Sequence, residues 1–267
     1  MPTRRTLLTA LGATAALPAF ATTASAHPAR RVPRHAISIQ LYTLRGIIGD
    51  DPEPVLSALA DIGYRKVELA GLYGRTAAEM AAMLRRNHLT ATSTHTGLDG
   101  DLDQVIADAK TLGHRYVVVP WAQYATIAEW SAFADRLESA HRVLRRAGLQ
   151  AGYHNHAHEF ASVEGQRPFD VIAARTSVHF ELDLYWAVTG GVDPIALYHS
   201  LRPRVRQYHV KDRAPDGGFA DLGKGTIDFA RIFASTTVAE YIVENDQPAD
   251  ALTTAEVGYQ YLCNLRF

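Results

Sequence analysis

The sequence is poor in cysteine, and this scarcity excludes two kinds of site. Its single cysteine, Cys263, lies near the C-terminus of the 267 residues. One thiol permits no intramolecular disulfide, and it rules out the cysteine-rich zinc sites. Any metal ion that this chain binds must therefore use histidine, aspartate or glutamate ligands.

The sequence also lacks an excess of charge of either sign. It contains 27 lysines and arginines against 28 aspartates and glutamates, for a formal net charge of −1. Residues 1–26 hold two arginines and no acid, so their removal would leave 25 against 28, or −3. A near-neutral balance predicts no strong non-specific binding to nucleic acid.

No apolar run is long enough to span a membrane. The longest, residues 7–20, is interrupted by Gly12 and Pro18 and falls short of ~20 apolar residues. It follows the pair Arg4-Arg5 and precedes Ala24-Ser25-Ala26, a small-residue cleavage site. These features indicate a twin-arginine signal peptide and export to the periplasm.

The signal peptide is predicted to cover residues 1–26, and its removal leaves no membrane span. Residues 27–35 form a basic segment punctuated by proline, which we expect to be a mobile leader. No low-complexity segment or linker divides residues 36–267, so we expect one folded domain there.

Within that domain, eight short apolar runs alternate with helical patterns. One helix is predicted to begin at Asp51-Pro52 and to end at Gly63. Alternation of this kind over ~240 residues favours a single (β/α)8 TIM barrel over an open doubly wound sheet. No Gly-x-Gly-x-x-Gly follows the first run, which argues against dinucleotide binding. The predicted strands are residues 36–41, 66–70, 89–94, 116–120, 149–154, 178–183, 205–210 and 240–244.

Histidines cluster at the end of the fifth predicted strand. His154, His156 and His158 alternate, and Glu159 follows them. In an extended strand, residues i, i+2 and i+4 share a face, so all three imidazoles would point the same way. Imidazoles beside a carboxylate form metal sites or acid/base sites. The alternative is a histidine-rich surface loop.

The last three predicted strands also end in potential ligands, which are Asp183, His209 and Glu244. Active sites of TIM barrels lie at the C-terminal ends of the strands, so these side chains would meet there. Oxygen and imidazole ligands suit one divalent ion, either Mn²⁺, Co²⁺, Mg²⁺ or Zn²⁺. Asp183 and Glu244 would otherwise be helix caps or ion-pair partners. Glu68, at the end of the second strand, would support the site or pair with a nearby cation.

Other strand ends offer substrate contacts. Lys211 follows His209 by two residues and would point into the same opening, where it would hold or polarise a substrate oxygen; the alternative is an ion pair with Asp212 or Asp183. Aromatic residues would form walls for a sugar ring, or would pack in the core. The predicted substrate-binding residues are Gln40, Tyr42, His95, Trp121, Trp186 and Lys211.

The sequence resembles the xylose-isomerase-like barrels, the sugar phosphate isomerase/epimerase group. The resemblance covers essentially all of residues 36–262, and its motifs are specific to the superfamily rather than to a substrate. The matching motifs are Gly152-Tyr153-His154-Asn155-His156 with Glu159-Phe160, Glu181-Leu182-Asp183-Leu184-Tyr185-Trp186, Tyr208-His209-Val210-Lys211-Asp212, Gly223-Lys224-Gly225-Thr226-Ile227-Asp228-Phe229 and Ile242-Val243-Glu244-Asn245-Asp246.

The resemblance implies one divalent metal ion held by an acid from strand five together with Asp183, His209 and Glu244. This sequence departs from the family pattern at strand five. The two-glutamate epimerases of the family have a glutamate near the position that His154 occupies here. Either Glu159 folds back as the fourth ligand, which we favour, or a histidine replaces it.

The resemblance further implies an enzyme that acts on a small carbohydrate. The leading hypothesis is a metal-dependent isomerase or epimerase that abstracts a proton next to a carbonyl, with Glu244, His154, His156 and Lys211 as catalytic residues. The alternative is a β-eliminating lyase or dehydratase on 3-keto-sugars or 3-keto-glycosides. An endonuclease-IV-like phosphodiesterase and a non-catalytic sugar-binding module are further alternatives. Relatives in the family often dimerise, so a homodimer is also expected.

Overall fold

The computed structural model of the protein describes residues 29–98 and 100–267. The predicted signal peptide, residues 1–26, lies outside this part of the chain. Arg30 and Phe267 exchange two backbone hydrogen bonds of 2.7 and 3.0 Å, and Val32 is buried. The described residues of the leader are thus packed against the C-terminal end of the chain, whereas the sequence predicts a mobile leader.

Eight parallel strands form a closed barrel, which confirms the predicted fold. Each strand pairs with the next along the chain, and the last strand closes the barrel against the first, with Ile37 opposite Tyr241. Each observed strand lies within about one residue of the predicted one. The strands are β1 Ile37–Gln40, β2 Lys66–Leu69, β3 Thr90–His95, β4 Tyr116–Val119, β5 Gln150–His154, β6 His179–Asp183, β7 Val205–Val210 and β8 Glu240–Val243.

Helices connect the strands, and side-chain caps fix where they begin. A capping box of Thr126 and Glu129 starts the longest helix at Ile127. Among the described residues, no helix is long and apolar enough to cross a membrane. The α-helices are Arg45–Ile48, Glu53–Ile62, Ala77–Arg86, Leu102–Leu112, Ile127–Arg146, Pro168–Arg175, Leu184–Thr189, Pro194–Leu201, Phe229–Ser235 and Ala251–Asn264.

The interior of the barrel is polar as well as apolar. Because side chains alternate along a strand, residues i and i+2 both point inward, and β6 thereby places Glu181 below Asp183. Deeper still, the Gln207 side-chain amide donates to Ser93 Oγ at 3.1 Å and to Glu240 Oε2 at 3.2 Å. The inward residues therefore form stacked layers of hydrogen-bonded groups under the C-terminal opening, where branched apolar residues usually fill a TIM barrel.

Candidate active site

A cavity of about 760 Å³ opens at the C-terminal ends of the strands. This position is where TIM barrels carry their active sites. Of the substrate-binding residues predicted from the sequence, all but Gln40 lie in its wall. The lining residues are Tyr42, Arg45, Ala70, His95, Pro120, Trp121, His154, His156, Ala157, His158, Trp186, Lys211, Phe219, Glu244, Asp246 and Gln247.

At the base of the cavity, four buried side chains form what we call the upper cluster: His154, Asp183, His209 and Glu244. Each offers one potential ligand atom, and the four atoms lie within 4.8 Å of one another. His154 Nε2 is 3.2 Å from Asp183 Oδ2, and His209 Nδ1 is 2.5 Å from Glu244 Oε2. The structure thus brings together the three ligands predicted from strands six to eight.

Asp183 has two roles at once. Its Oδ1 accepts a hydrogen bond from the backbone N–H of Trp186 at 2.8 Å and so caps the helix Leu184–Thr189. Its Oδ2 faces His154 and the ammonium of Lys211. The sequence offers the cap and the ligand as alternatives, but the two oxygens of the carboxylate serve one each.

His154, and not Glu159, is the strand-five member of the upper cluster. The Glu159 carboxylate is fully buried behind the strand, where it accepts from Tyr153 Oη at 2.7 Å and from the His156 backbone N–H at 2.8 Å. Its side chain therefore holds the loop after β5. The structure thus does not bring Glu159 into the upper cluster, because the chain turns after His154 and the carboxylate is bonded to Tyr153 and to the loop backbone; its role as a metal ligand stays a prediction.

Lys211 binds three carboxylates. Its Nζ is 3.1 Å from Asp183 Oδ2, 2.8 Å from Glu244 Oε2 and 3.0 Å from Asp246. Burial opposes its charge, yet the attraction of Asp183 and Glu244 is stronger and raises the pKa of Lys211 above its usual range. Asp212, the other partner considered from the sequence, instead accepts backbone N–H groups of the loop 223–227.

Below the upper cluster lies a second group, the lower cluster, made of Glu68, His95, Glu181 and His209. His209 belongs to both clusters, since its Nε2 is 2.7 Å from Glu68 Oε2 and 2.9 Å from Glu181 Oε1. Gln40 is fully buried here and donates to Glu68 Oε2 at 2.7 Å. Gln40 therefore does not line the cavity, because its amide holds Glu68 beneath it, and substrate binding by Gln40 stays a prediction.

The buried charges of the two clusters shift one another's ionisation. Burial together with the neighbouring Glu181 raises the pKa of Glu68 to about 7. Burial opposes ionisation of Glu181 as well, but the attraction of His209 and His95 is stronger and holds its pKa well below its usual range. Burial also lowers the pKa of His209, yet Glu181 and Glu244 outweigh this effect and raise it well above its usual range.

The other two histidines of the strand-five motif reach the cavity from a loop. The strand ends at His154, so residues 154–158 are not extended as the alternation predicts. His156 and His158 still line the cavity, with ring centroids 6.1 Å apart. The ring of Trp121 contacts both, with its centroid 4.5 Å from that of His156 and 4.4 Å from that of His158.

His156 is an imidazole that aromatic contacts hold in place. It lies against Trp121 and, at 5.2 Å, against Trp186. Burial, followed by the positive neighbourhood of His154 and Lys211, places its pKa far below the usual range, so the ring is neutral at neutral pH. Its Nδ1 has no hydrogen-bond partner within the described part of the chain.

Some site residues are missed by reasoning from the sequence. Glu181 stands two positions before Asp183, so strand periodicity alone would have placed it inside the barrel. Asp246 lies in the loop after β8, Arg45 begins a short helix and Phe219 lies in a short hairpin, and no local pattern marks them as cavity residues. Burial and the neighbouring Glu244 raise the pKa of Asp246 to about 6.

The donors of the upper cluster fit a divalent ion. Two carboxylates and two imidazoles are a ligand set that zinc and similar ions accept. Lys211 now contacts Asp183 and Glu244, and Asp246 offers its ammonium a third carboxylate when an ion takes the other two. The structure thus contains a group able to hold the metal, and the identity of the ion stays a prediction.

Comparison with known proteins places this geometry in a family context. A sequence model described as xylose isomerase-like TIM barrel matches residues 56–236. An inosose dehydratase of Geobacillus kaustophilus is 27% identical over 269 aligned residues, which cover 80% of this chain and 87% of that protein.

Solved structures share the same fold. A sugar phosphate isomerase/epimerase from Parabacteroides distasonis superposes with a TM-score of 0.75 at 25% identity, covering 86% of this chain and 98% of that one. The IOLI protein, solved with a zinc atom, superposes with a TM-score of 0.67 at 16% identity, covering 85% and 96%. The second likeness is one of fold alone.

Proposed function

The chain belongs to the xylose isomerase-like TIM barrel family, and from this premise we propose that it is a carbohydrate lyase. The reaction would eliminate a β-hydroxyl or a β-glycosidic oxygen from a sugar or cyclic polyol that carries a ketone. The observation that carries this proposal is the strand-five wall of the cavity. That wall presents His154 and His156, while its only carboxylate, Glu159, is turned away behind the strand.

An epimerase that moves a proton between opposite faces of a sugar needs a base on each face. In this cavity the strand-eight side carries the carboxylate of Glu244, which Lys211 and His209 already contact. The strand-five side carries a neutral imidazole instead of a second carboxylate. An imidazole that takes up a proton becomes an acid strong enough to protonate a departing oxygen, which is what an elimination requires.

His156 is the residue best placed to move that proton. Its ring would accept the proton from the carbon next to the ketone, and the electrons of that C–H bond would form the new C=C bond as the C–O bond breaks. The imidazolium would then return the proton to the departing oxygen, which leaves as water or as an alcohol. The ammonium of Lys211 would stabilise the negative charge that develops on the ketone oxygen.

The upper cluster would hold the metal ion for this reaction. When bound, a divalent ion there supplies positive charge that acidifies the C–H bond beside a carbonyl. His154, Asp183, His209 and Glu244 would bind it, and the backbone cap on Asp183 Oδ1 keeps that carboxylate oriented toward it.

The cavity wall favours an uncharged carbohydrate over a sugar phosphate. Its cations are Arg45 and Lys211, and both are engaged. The Arg45 guanidinium donates to Tyr42 O and Asp246 O and stacks 4.0 Å from the Tyr42 ring centroid. Exposed Trp121 and Tyr42 offer flat apolar faces for a sugar ring. The predicted export of the chain would suit an external glycoside.

The similar proteins support two different reactions. The inosose dehydratase that aligns with this chain over 87% of its own length supports the elimination, since a dehydratase eliminates water. The structure from Parabacteroides distasonis is named an isomerase/epimerase, and this keeps proton transfer between adjacent carbons as the second candidate. Both reactions begin with removal of a proton beside a carbonyl.

The products separate the two candidates. The metal-loaded protein is incubated in D₂O with an inosose, a 3-keto-glucoside and a sugar phosphate, and the products are followed by NMR and mass spectrometry. We expect an unsaturated ketone, with release of water from the inosose or of the alcohol from the glucoside. A deuterium-labelled isomer without loss of either group would contradict the lyase and establish the isomerase.

A further inference from the structure

The lower cluster has the composition of a metal site in its own right. Glu68, His95, Glu181 and His209 each offer one ligand atom, and the four atoms lie within 4.8 Å of one another. Of its members, only His209 belongs to the ligand set expected from the sequence, and the proposed elimination uses none of the other three. We propose that the lower cluster binds a second divalent cation, with Glu68, His95 and Glu181 as its own ligands and with His209 shared between the two clusters.

The geometry is close to that of a coordinated ion. His95 Nε2 is 2.7 Å from Glu181 Oε1 and 3.3 Å from Glu68 Oε2. His209 Nε2 is 2.7 Å from Glu68 Oε2 and 2.9 Å from Glu181 Oε1. Around a tetrahedral zinc ion with ligands at ~2.0–2.2 Å, neighbouring ligand atoms lie roughly 3.3–3.6 Å apart. Binding therefore requires the paired atoms to move apart by less than about 1 Å.

Two carboxylate oxygens of the lower cluster lack a partner. Glu68 Oε1 and Glu181 Oε2 are buried and accept no hydrogen bond within residues 29–98 and 100–267, although both residues are fully buried. Burial of an unsatisfied carboxylate oxygen is unfavourable, because it loses its hydration without replacement. A cation bound by both carboxylates would compensate the negative charge that no hydrogen-bond donor among the described residues stabilises at these two oxygens.

The charge count of the two clusters points in the same direction. When the histidines act as metal ligands and are not protonated, the four buried carboxylates of the two clusters and the ammonium of Lys211, which contacts Asp183 and Glu244, sum to three negative charges. One divalent ion in the upper cluster leaves one negative charge uncompensated. A second ion in the lower cluster, together with a His209 that bridges both ions as an imidazolate and so carries one negative charge, brings the sum to zero. Buried charges require compensation of this kind.

The stacking of the clusters gives the lower ion an entrance and couples it to the upper one. His95 is the only member of Glu68, His95 and Glu181 that lines the cavity, so an ion would enter past it. His209 faces Glu244 with Nδ1 and the lower carboxylates with Nε2. The lower ion takes the place of the Nε2 proton, and His209 then bridges the two ions.

Metal counting tests the proposal without any substrate. The mature protein is stripped with a chelator, equilibrated with Zn²⁺, freed of excess by gel filtration and measured by elemental mass spectrometry. We expect two equivalents in the wild type and one in Glu181→Gln and in Glu68→Gln. The matched control is Glu240→Gln, which alters a buried acid bonded to Thr92 and Gln207 outside both clusters and should retain two.

Anomalous diffraction at the zinc edge locates the ions. Two peaks, one of them bound by His95 and Glu181, would support the proposal. A single equivalent in the wild type, or two equivalents in Glu181→Gln, would overturn it, and the latter result would reveal adventitious binding at His156 and His158. If the glutamine variants unfold, His95→Ala at the cavity wall tests the same site. Failure here leaves the proposed elimination untouched, since that reaction needs only the upper cluster.

Discussion

At the scale of single residues, His154 and Glu159 lie five positions apart and face opposite surroundings. His154 Nε2 points at Asp183, whereas Glu159 is bonded to Tyr153 and to the backbone of the loop. We therefore expect His154→Ala to weaken metal binding by the upper cluster by about 10-fold or more, and Glu159→Gln to leave its metal affinity within about twofold of the wild type.

Competition with a chromophoric chelator measures this difference in affinity directly. Glu159→Gln is a close control, because it keeps the size of the side chain and can still accept from Tyr153 Oη. A loss of metal in Glu159→Gln that matches the loss in His154→Ala would restore Glu159 as the ligand of strand five.

His156 should matter to turnover more than any other aromatic residue of the wall. If it transfers the proton, His156→Ala should lower kcat by about 10²–10⁴-fold with little change in metal content. His158→Ala is the matched control, since that ring also lines the cavity but its Nε2 is occupied by Ala122 O at 2.8 Å. Equal losses in both variants would show that the wall acts only by packing around the substrate.

At the scale of elements, strands β5 and β6 touch at a glycine. Gly152 lies opposite His179, and a Cβ built on Gly152 would be 2.4 Å from His179 Nε2. The His179 ring also packs against the tilted ring of Tyr116, with the centroids 4.6 Å apart, so it has little room to move. Gly152→Ala should therefore destabilise the barrel by about 1–3 kcal/mol, the usual effect of overpacking.

Denaturant unfolding measures this effect, and a double-mutant cycle identifies its cause. If the clash with the ring is responsible, Gly152→Ala combined with His179→Ala should be less destabilised than the sum of the two single variants. Additive effects would mean that the alanine disturbs the strand itself and not the histidine.

The same two strands show what a sequence can predict about a barrel. The apolar run and the strand period are local, so β5, β6 and the inward direction of Asp183 follow from the residues alone. The turn after His154 is not local, because Glu159 leaves the cavity only when the Tyr153 hydroxyl and the loop backbone are in place to bind it. The sequence alone therefore does not show which of His154 and Glu159 faces the upper cluster.

The lower cluster was missed for a similar reason. Glu68 and Glu181 come from strands two and six, and they meet only across the closed barrel, through His95 and His209. Their contact depends on the stagger of the sheet, which includes a register shift at Glu181 against β7. Alternation along a strand gives the direction of a side chain, but not its height relative to the other strands.

At the scale of the whole molecule, the two ends of the barrel bury ionisable side chains in different protonation states. Near the cavity, burial opposes ionisation of Glu181, Asp183 and Glu244, but neighbouring cations lower their pKa values and keep these carboxylates ionised. Near the start of β4, at the other end, His114 is buried with no hydrogen-bond partner for either ring nitrogen among the described residues. Burial lowers the pKa of His114 to about 4, so this histidine is neutral in the folded protein at neutral pH.

A buried neutral histidine makes the fold sensitive to acid. Since the pKa of His114 is about 4 in the folded state and about 6.5 when unfolded, the unfolded chain binds the proton first as the pH falls. The stabilisation that comes from keeping His114 neutral is fully present above about pH 6.5 and is lost as the pH falls toward 4. It amounts to about 3 kcal/mol of the free energy of unfolding.

Removing the imidazole should therefore flatten the dependence of stability on pH. We expect His114→Leu to lose less of its free energy of unfolding between pH 6.5 and pH 4 than the wild type does, as measured by urea unfolding at several pH values. His199→Leu, at an exposed position, is the control and should follow the wild-type profile. Because His114 lies at the opposite end of the barrel from the cavity, turnover at neutral pH should not change. Parallel profiles for His114→Leu and the wild type would show that the acid sensitivity does not come from this histidine.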